Sequence, residues 1–470
     1  MDGKTKLSGT CSLTFRKFTA GEWPVVPAPV KGNELFSFPA HEGSGMSCHA
    51  EWRYPVFFRG RQVNTPGRET ILSMDDQVPV TELADRMRRF RERMDRVHPD
   101  WEMAVFFGKV NLYYLTGTIQ DGMLTVPRDG QEEFWVRRSY VRACAESYFP
   151  VIRQMASFRD ARKGIARVPG TVHIETGIVP VGLWELFRKH FPVRAAASLD
   201  ADVAMTRAKK SAYEIALLRR AGEIHRRVLE DDVPSILREG MSEAAFATAV
   251  YERMVSLGHQ GIVRFGGFNT EIEVGQVAFG ENSLYPAYFN GPGGCHGMGP
   301  AAPVLGDPDR KLKPGDLVFI DNACMVGGYQ TDKTMNYVFR GSIPRKAEEM
   351  HERCTGIMEE MASMLVPGAV PSMIYSSIMG KQEPDFLEHF MGHAKPKVRF
   401  LGHGVGLVVD EPPVIAMGFD EPLEEGMAIA LEPKYAVTGM GLVGIENTYL
   451  VTPRGGKSIT GNHPGLISVS

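Results

Sequence analysis

At 470 residues the chain is long enough for two or three domains with large cores, and its 43% apolar and 23% charged residues are ordinary for a globular protein. A net charge of -3 gives no reason to expect nucleic acid or an anionic membrane as partner. No apolar run approaches the ~20 residues of a spanning helix, and the N-terminus lacks a charged-then-apolar signal pattern. The cysteines (Cys11, Cys48, Cys144, Cys295, Cys324, Cys354) are scattered without a CxxC, so free thiols in a reducing cytoplasm are expected.

Residues 1–77 are rich in Pro, Gly, Ser and isolated aromatics and carry no sustained period, which predicts an extended or poorly ordered extension. From Val80 to Met94 the pattern is helical, with Leu83, Met87, Phe90 and Met94 on one face. Thr81 is a candidate cap, and the Arg run reads as a solvated face. Strand-like segments then alternate with helical ones: strands at 103–107, 123–126, 133–136, near 151 and at 172–174; helices at 110–115, 139–147 and 183–191. This is the pattern of an α/β domain, placed at 78–200.

The second domain is placed at 201–465. Its helices are expected from Glu214 to Arg227 and from Ser242 to Leu257, the latter starting at a Ser with Glu243 in the first turn. Residues 262–300 are Gly- and aromatic-rich, a composition that often lines sites. Leu317–Phe339 reads as a β-hairpin punctuated by Gly327-Gly328. Asp321 and Asp332 lie inside its otherwise apolar strands. A loop at 326–327 sets 321 opposite 332; a loop at 327–328 sets 321 opposite 334, with 332 as its diagonal neighbour. Either register leaves both carboxylates on one face. Helices follow at 345–365 and 373–378, then a Gly-flanked histidine, His403. The strands Met427–Pro433 and Gly444–Thr452 each carry one acid, Glu432 and Glu446.

Four carboxylates in apolar frames need compensation, by a shared proton, a basic partner or a metal ion. Neither Glu-bearing strand contains an Arg or Lys, although Lys434 follows closely. His403 alone would more often be a satisfied turn histidine. Beside four acids it completes an oxygen-rich set suited to Mn, Fe, Co or Zn, able to hold two ions about 3.5–4 Å apart.

Asp321 and Asp332, Gly402-His403-Gly404, Leu431-Glu432-Pro433 and Ile445-Glu446-Asn447-Thr448 together resemble, in order and spacing, the metal-site motifs of the pita-bread metallopeptidases. That family includes methionine aminopeptidase, prolidase, aminopeptidase P and the metal-free creatinase. The resemblance covers roughly 80–460, and the α/β segment before 200 narrows it to the Xaa-Pro aminopeptidase and prolidase branch. It implies an α/β creatinase-like N-terminal domain and an α+β pita-bread catalytic domain. It further implies two divalent ions, Mn foremost, bridged by Asp332 and Glu446. Glu432 would be both ligand and general base to the attacking hydroxide. A cytoplasmic homodimer that cleaves the bond before proline in short peptides is the expectation.

Two positions depart from the family pattern. Val304 and Asp410 stand where such peptidases place substrate-binding histidines. His296, in the Gly-rich segment, is the candidate to fill in, and Asp410 could receive a substrate ammonium group. These departures keep open a lyase or C–N hydrolase on the same fold, or a binding protein without activity.

Overall fold

Leu83, Met87, Phe90 and Met94 are all buried, in one apolar cluster with Ala104, Phe106, Leu124 and Val126. This packing anchors helix α1 (Val80–Val97) on the first sheet of a computed structural model that describes residues 77–267, 270–272, 274–393 and 397–470. The expectation for residues 1–76 falls outside the described residues. Those that are described belong to one unit, Glu69–Ser470.

The N-terminal elements follow as β1 (Met103–Phe106), α2 (Lys109–Thr116), β2 (Gly122–Pro127), β3 (Glu133–Val136), α3 (Tyr140–Glu146), β4 (Ile152–Gln154), α4 (Phe158–Gly164), β5 (Thr171–Ile174), α5 (Val181–Arg188) and β6 (Ala195–Ser198). The strands form one mixed sheet in the order β4-β3-β2-β1-β5-β6. A second apolar cluster, with Val105, Trp135, Phe158, Phe187 and Phe191, packs its other face. The strand pattern does not announce β6, whose three alanines lack β-branched bulk and lie at the sheet edge.

Two expectations for α1 are corrected. Pro79 occupies the N-cap and no side chain caps the helix, because Thr81 already lies inside it. The Arg run is not wholly solvated. Arg86 is fully buried, its guanidinium donating to Glu82 (2.7 Å), the Tyr114 carbonyl (3.0 Å) and the Tyr329 hydroxyl (2.9 Å). Tyr329 in turn donates to Glu214 at 2.6 Å.

The larger region begins with α6 (Asp200–Ala208) and α7 (Ala212–Arg226), which runs through a π-helical turn at Arg227–Asp232 into α8 (Val233–Ile236). Next come α9 (Glu243–Leu257), β7 (Gly275–Phe279), β8 (Leu317–Val326), β9 (Tyr329–Phe339), α10 (Arg345–Ser363), α11 (Pro371–Met379) and α12 (Pro384–Leu387). The chain closes with β10 (Phe400–Gly404), β11 (Glu411–Ala416), β12 (Ala428–Leu431), β13 (Lys434–Val437), β14 (Gly441–Gly444), β15 (Asn447–Leu450), β16 (Lys457–Ser458) and β17 (Leu466–Val469). One sheet has the order β17-β9-β8-β7, a second β11-β10-β12-β15-β16, and β13 and β14 form a two-stranded pair. Ser242 caps α9 as expected, accepting from the Ala245 amide. Among the described residues no helix is long and apolar enough to cross a membrane.

The hairpin turn is Gly327-Gly328, both at positive φ (58° and 84°), the geometry of a two-residue turn that matches strand twist. Asp321 therefore pairs with Thr334, and Asp332 with Ala323. The aspartates are diagonal neighbours on one face.

Arg86 joins α1 to the hairpin strand that carries Asp332. Replacing it with Met leaves the buried Glu214 with only Arg89, 3.7 Å away, as a guanidinium partner, and takes from the half-buried Glu82 its 2.7 Å charged contact. The Arg86→Met protein is expected to lose about 3–5 kcal/mol of stability, the usual cost of breaking a buried pair from one side. Urea denaturation measures this, and a loss under about 0.5 kcal/mol, the scale of a surface change, would contradict the structural role given to Arg86.

Candidate active site

The two glutamates sit at corners, not within strands. β12 pairs with β10 and β15, whereas β13 leaves to pair with β14, and Glu432-Pro433 makes that change of sheet. Glu446 lies at the return corner between β14 and β15 and forms a lone bridge to Thr334. A strand that changes sheet turns its corner residue out of the ladder, which aims both carboxylates at the aspartate-bearing face of the hairpin. His403, in β10, pairs with Ala430 of β12. Its flanking glycines permit this approach: a Cβ at Gly402 would lie 2.3 Å from the Ala430 carbonyl oxygen, and one at Gly404 2.5 Å from that of Glu411.

The five expected ligands converge. Single oxygen or nitrogen atoms of Asp332, His403 and Glu446 lie within 4.8 Å of one another, as do atoms of Asp321, Glu432 and Glu446. His403 Nε2 is 3.2 Å from Glu432 Oε1 and 3.8 Å from Glu446 Oε1. Its Nδ1 is 3.2 Å from the Gly404 carbonyl, a contact that fixes the ring and leaves Nε2 toward the acids. Thr448 laces the two sheets together, accepting from the Asp332 amide and donating to the Asp332 carbonyl.

Lys434 is the residue that sequence reasoning undervalued. Its ammonium group is fully buried and donates to Asp321 Oδ2 (2.8 Å), Glu432 Oε2 (2.8 Å) and Glu446 Oε2 (2.9 Å). The signal was its position two residues after Glu432, close enough for a long side chain to reach back to the acid.

Charge explains the protonation pattern. Burial works against Glu432, but the Lys434 charge and the His403 contact hold its carboxyl down at about 2. Burial, reinforced by the charges of Glu432 and Asp321, pushes Glu446 up to about 8. Asp332 is raised well above the carboxylate range by burial and by Glu446 and Asp321. Burial opposes the charged form of His403, yet the hydrogen bond and charge of Glu432, with Glu446 and Asp332 behind them, raise it to about 10. One ammonium thus does not neutralise four acids, and the remaining demand for positive charge shows as raised proton affinity at Asp332, Glu446 and His403. Glu446 Oε1 is buried with no hydrogen-bond partner. A divalent cation beside Asp332, His403 and Glu446 fits this oxygen-and-imidazole set and its orphaned oxygen.

These groups floor a cavity of about 370 Å³ that Phe265, Phe289, Phe400 and Phe419 help to line. Asp410 lies on its wall, accepting a hydrogen bond from the Gly266 amide; burial raises its pKa. Two other expected site residues are not part of this cavity's lining. His296 lines a separate cavity with Asn282, Asp307 and Arg310, and its Nδ1 is 3.1 Å from Asp307. That pairing, and the Asn282 contact to its amide, hold His296 in the other cavity. Val304 lines a small space beside Cys295 and Tyr288 that shares Gln276 and Phe289 with the carboxylate cavity, without lining that cavity itself. Among the described residues lining the main cavity, His403 is the only histidine. Gln276 and Asn322, unremarked in the sequence, also line it, each with a buried oxygen lacking a partner.

Residues 86–209 match the creatinase/prolidase N-terminal domain, and residues 216–453 match metallopeptidase family M24. An Xaa-Pro dipeptidase of Pyrococcus furiosus is 28% identical over 381 residues, which span 80% of this chain and 98% of that protein. One from Pyrococcus horikoshii is 28% identical over 388 residues, covering 82% and 99%. In three dimensions the chain resembles the prolidase from P. horikoshii (TM-score 0.66, 23% identity, 81% and 99% covered). It also resembles an Xaa-Pro dipeptidase from Bacillus anthracis (TM-score 0.67, 20% identity, 82% and 99% covered). The fold is a creatinase-type N-terminal domain joined to a pita-bread catalytic domain, and the chain belongs to metallopeptidase family M24.

Proposed function

We propose that the protein is a metal-dependent hydrolase of the Xaa-Pro type, acting on short peptides with proline in the second position. What supports this most is the convergence of Asp321, Asp332, His403, Glu432 and Glu446 on one cavity, in a chain similar along nearly the full length of Xaa-Pro dipeptidases. A dipeptidase and an aminopeptidase are both compatible with that likeness. The domains are assigned as 78–200 and 201–465, and a cytoplasmic location goes with the reading.

A divalent ion, with Mn the best match to a mainly carboxylate set, would supply positive charge for the scissile carbonyl oxygen and lower the pKa of water. Asp332, His403 and Glu446 are the residues that would hold it. Glu432 is held as a carboxylate between Lys434 and His403, positioned to take a proton from the attacking water and pass it to the departing amine. Asp410, on the cavity wall, is assigned to the substrate's free ammonium group. The phenylalanines that line the cavity suit a proline ring.

A second reading, a lyase or C–N hydrolase on the same fold, is favoured by one observation. His403 already belongs to the cation set, so no second histidine of the described cavity lining is free to stabilise a tetrahedral intermediate. A panel of Xaa-Pro dipeptides, longer Xaa-Pro peptides and non-peptide amides, assayed with Mn, separates the two. Turnover of the peptides supports the first reading, and turnover of the non-peptides alone replaces it with the second.

Three outcomes follow from the assignments. Glu432→Gln is expected to keep the fold and lower kcat by at least about 100-fold, because an amide accepts no proton. Circular dichroism and steady-state kinetics check this, and activity within a few-fold of the parent removes Glu432 from the base role. Asp410→Asn is expected to raise KM for free-amine peptides more than for acetylated ones; equal changes would dissociate Asp410 from the ammonium group. The protein is expected to sediment as a homodimer, on the family likeness alone, and a monomer at micromolar concentration would contradict that.

A further inference from the structure

A buried ammonium is tolerated only when anions enclose it. Lys434 meets this condition fully. Its three donors match three carboxylate oxygens one to one, on Asp321, Glu432 and Glu446. These are the same three residues that form one of the two possible cation groups. The ammonium and a metal ion cannot share that space, because a divalent ion would need the same oxygens at about 2.0–2.2 Å.

The backbone is shaped for the lysine. Lys434 starts β13 opposite Gly444. A Cβ at Gly444 would lie 2.8 Å from Lys434 Cγ and 2.6 Å from the Pro433 carbonyl oxygen, so glycine leaves room for the lysine stem. The other cation group is different. Glu446 splits its two oxygens: Oε2 is taken by Lys434 and by the Thr334 hydroxyl at 2.9 Å, while Oε1 has no partner and lies 3.8 Å from His403 Nε2.

We propose that this centre takes a single divalent ion, held by Asp332, His403 and Glu446, and that the Lys434 ammonium is the built-in cation standing where a second ion would bind. The inference rests on the metal-dependent reading above and departs from the two-ion expectation of the sequence. Asp321 and Glu432 then act as counter-ions that hold Lys434, with Glu446 shared between the ammonium and the ion.

The test counts ions. Metal-depleted full-length protein is titrated with Mn²⁺ by calorimetry, and bound metal is measured by elemental analysis after desalting. The parent is expected to bind about one ion per chain and Lys434→Gly about two, because removing the ammonium frees three carboxylate oxygens. Two ions in the parent overturn the inference and leave the metal-dependent reading intact. One ion in a folded Lys434→Gly protein also overturns it. No binding by the parent of Mn²⁺, Co²⁺ or Zn²⁺ overturns both. Asp321→Asn gives an independent check: affinity for the ion is expected to stay within about threefold of the parent, since Asp321 touches Lys434 and not the ion. A tenfold loss, about 1.4 kcal/mol, would make Asp321 a ligand and contradict the proposal.

Discussion

One buried ammonium among three carboxylates holds the centre of this molecule together. Asp321 comes from the hairpin, and Glu432 and Glu446 from two corners of a different sheet. Like charges from three chain segments would repel at this distance. With Lys434 between them the same charges draw the segments into one floor. The ammonium's three hydrogen bonds go to the other carboxylates, not to Asp332 or His403, and the raised proton affinity of these two marks where positive charge is still wanted.

The surroundings keep that floor in place through further buried charge. Glu411, in the strand beside His403, accepts from Lys210 at 3.0 Å and Arg207 at 3.1 Å. Arg207 also donates to Asn111 in the N-terminal sheet domain, and Arg86, from helix α1, reaches Tyr329 of the hairpin. Lys333, next to Asp332, is held by Asn447 (2.7 Å) and faces Glu230 of the π-helical turn at 3.3 Å. Such pairs contribute modest net stability, but removing one partner is costly, so they resist relative movement of the elements they join. The cavity walls carry several phenylalanines, with Asp410, Gln276 and Asn322 among the polar groups between them, above the charged floor.

The hairpin, the four acids and His403 were legible because acids in apolar strands conflict with burial, and such conflicts are concentrated at sites. The choice between two hairpin registers was not, since it depends on which glycine pair adopts positive φ. Glu432 and Glu446 read as strand residues because a change of sheet at Pro433 leaves the apolar pattern unbroken. Lys434 was visible but discounted, as proximity in sequence does not tell where a four-carbon stem ends. His296 failed for the opposite reason. A histidine in a Gly-rich loop has no periodicity to aim it, and here Asp307 draws it to another cavity. Arg86 looked solvated because its charge and its helical position say nothing of the Glu and Tyr partners that arrive from far along the chain.

The most direct measurement is anomalous diffraction at the manganese edge from crystals soaked in Mn²⁺. The account predicts one anomalous peak, about 2.0–2.3 Å from oxygens of Asp332 and Glu446 and from His403 Nε2, with Lys434 still bonded to Asp321 and Glu432. Two peaks bridged by Asp332 and Glu446, with Lys434 displaced from the carboxylates, would contradict it.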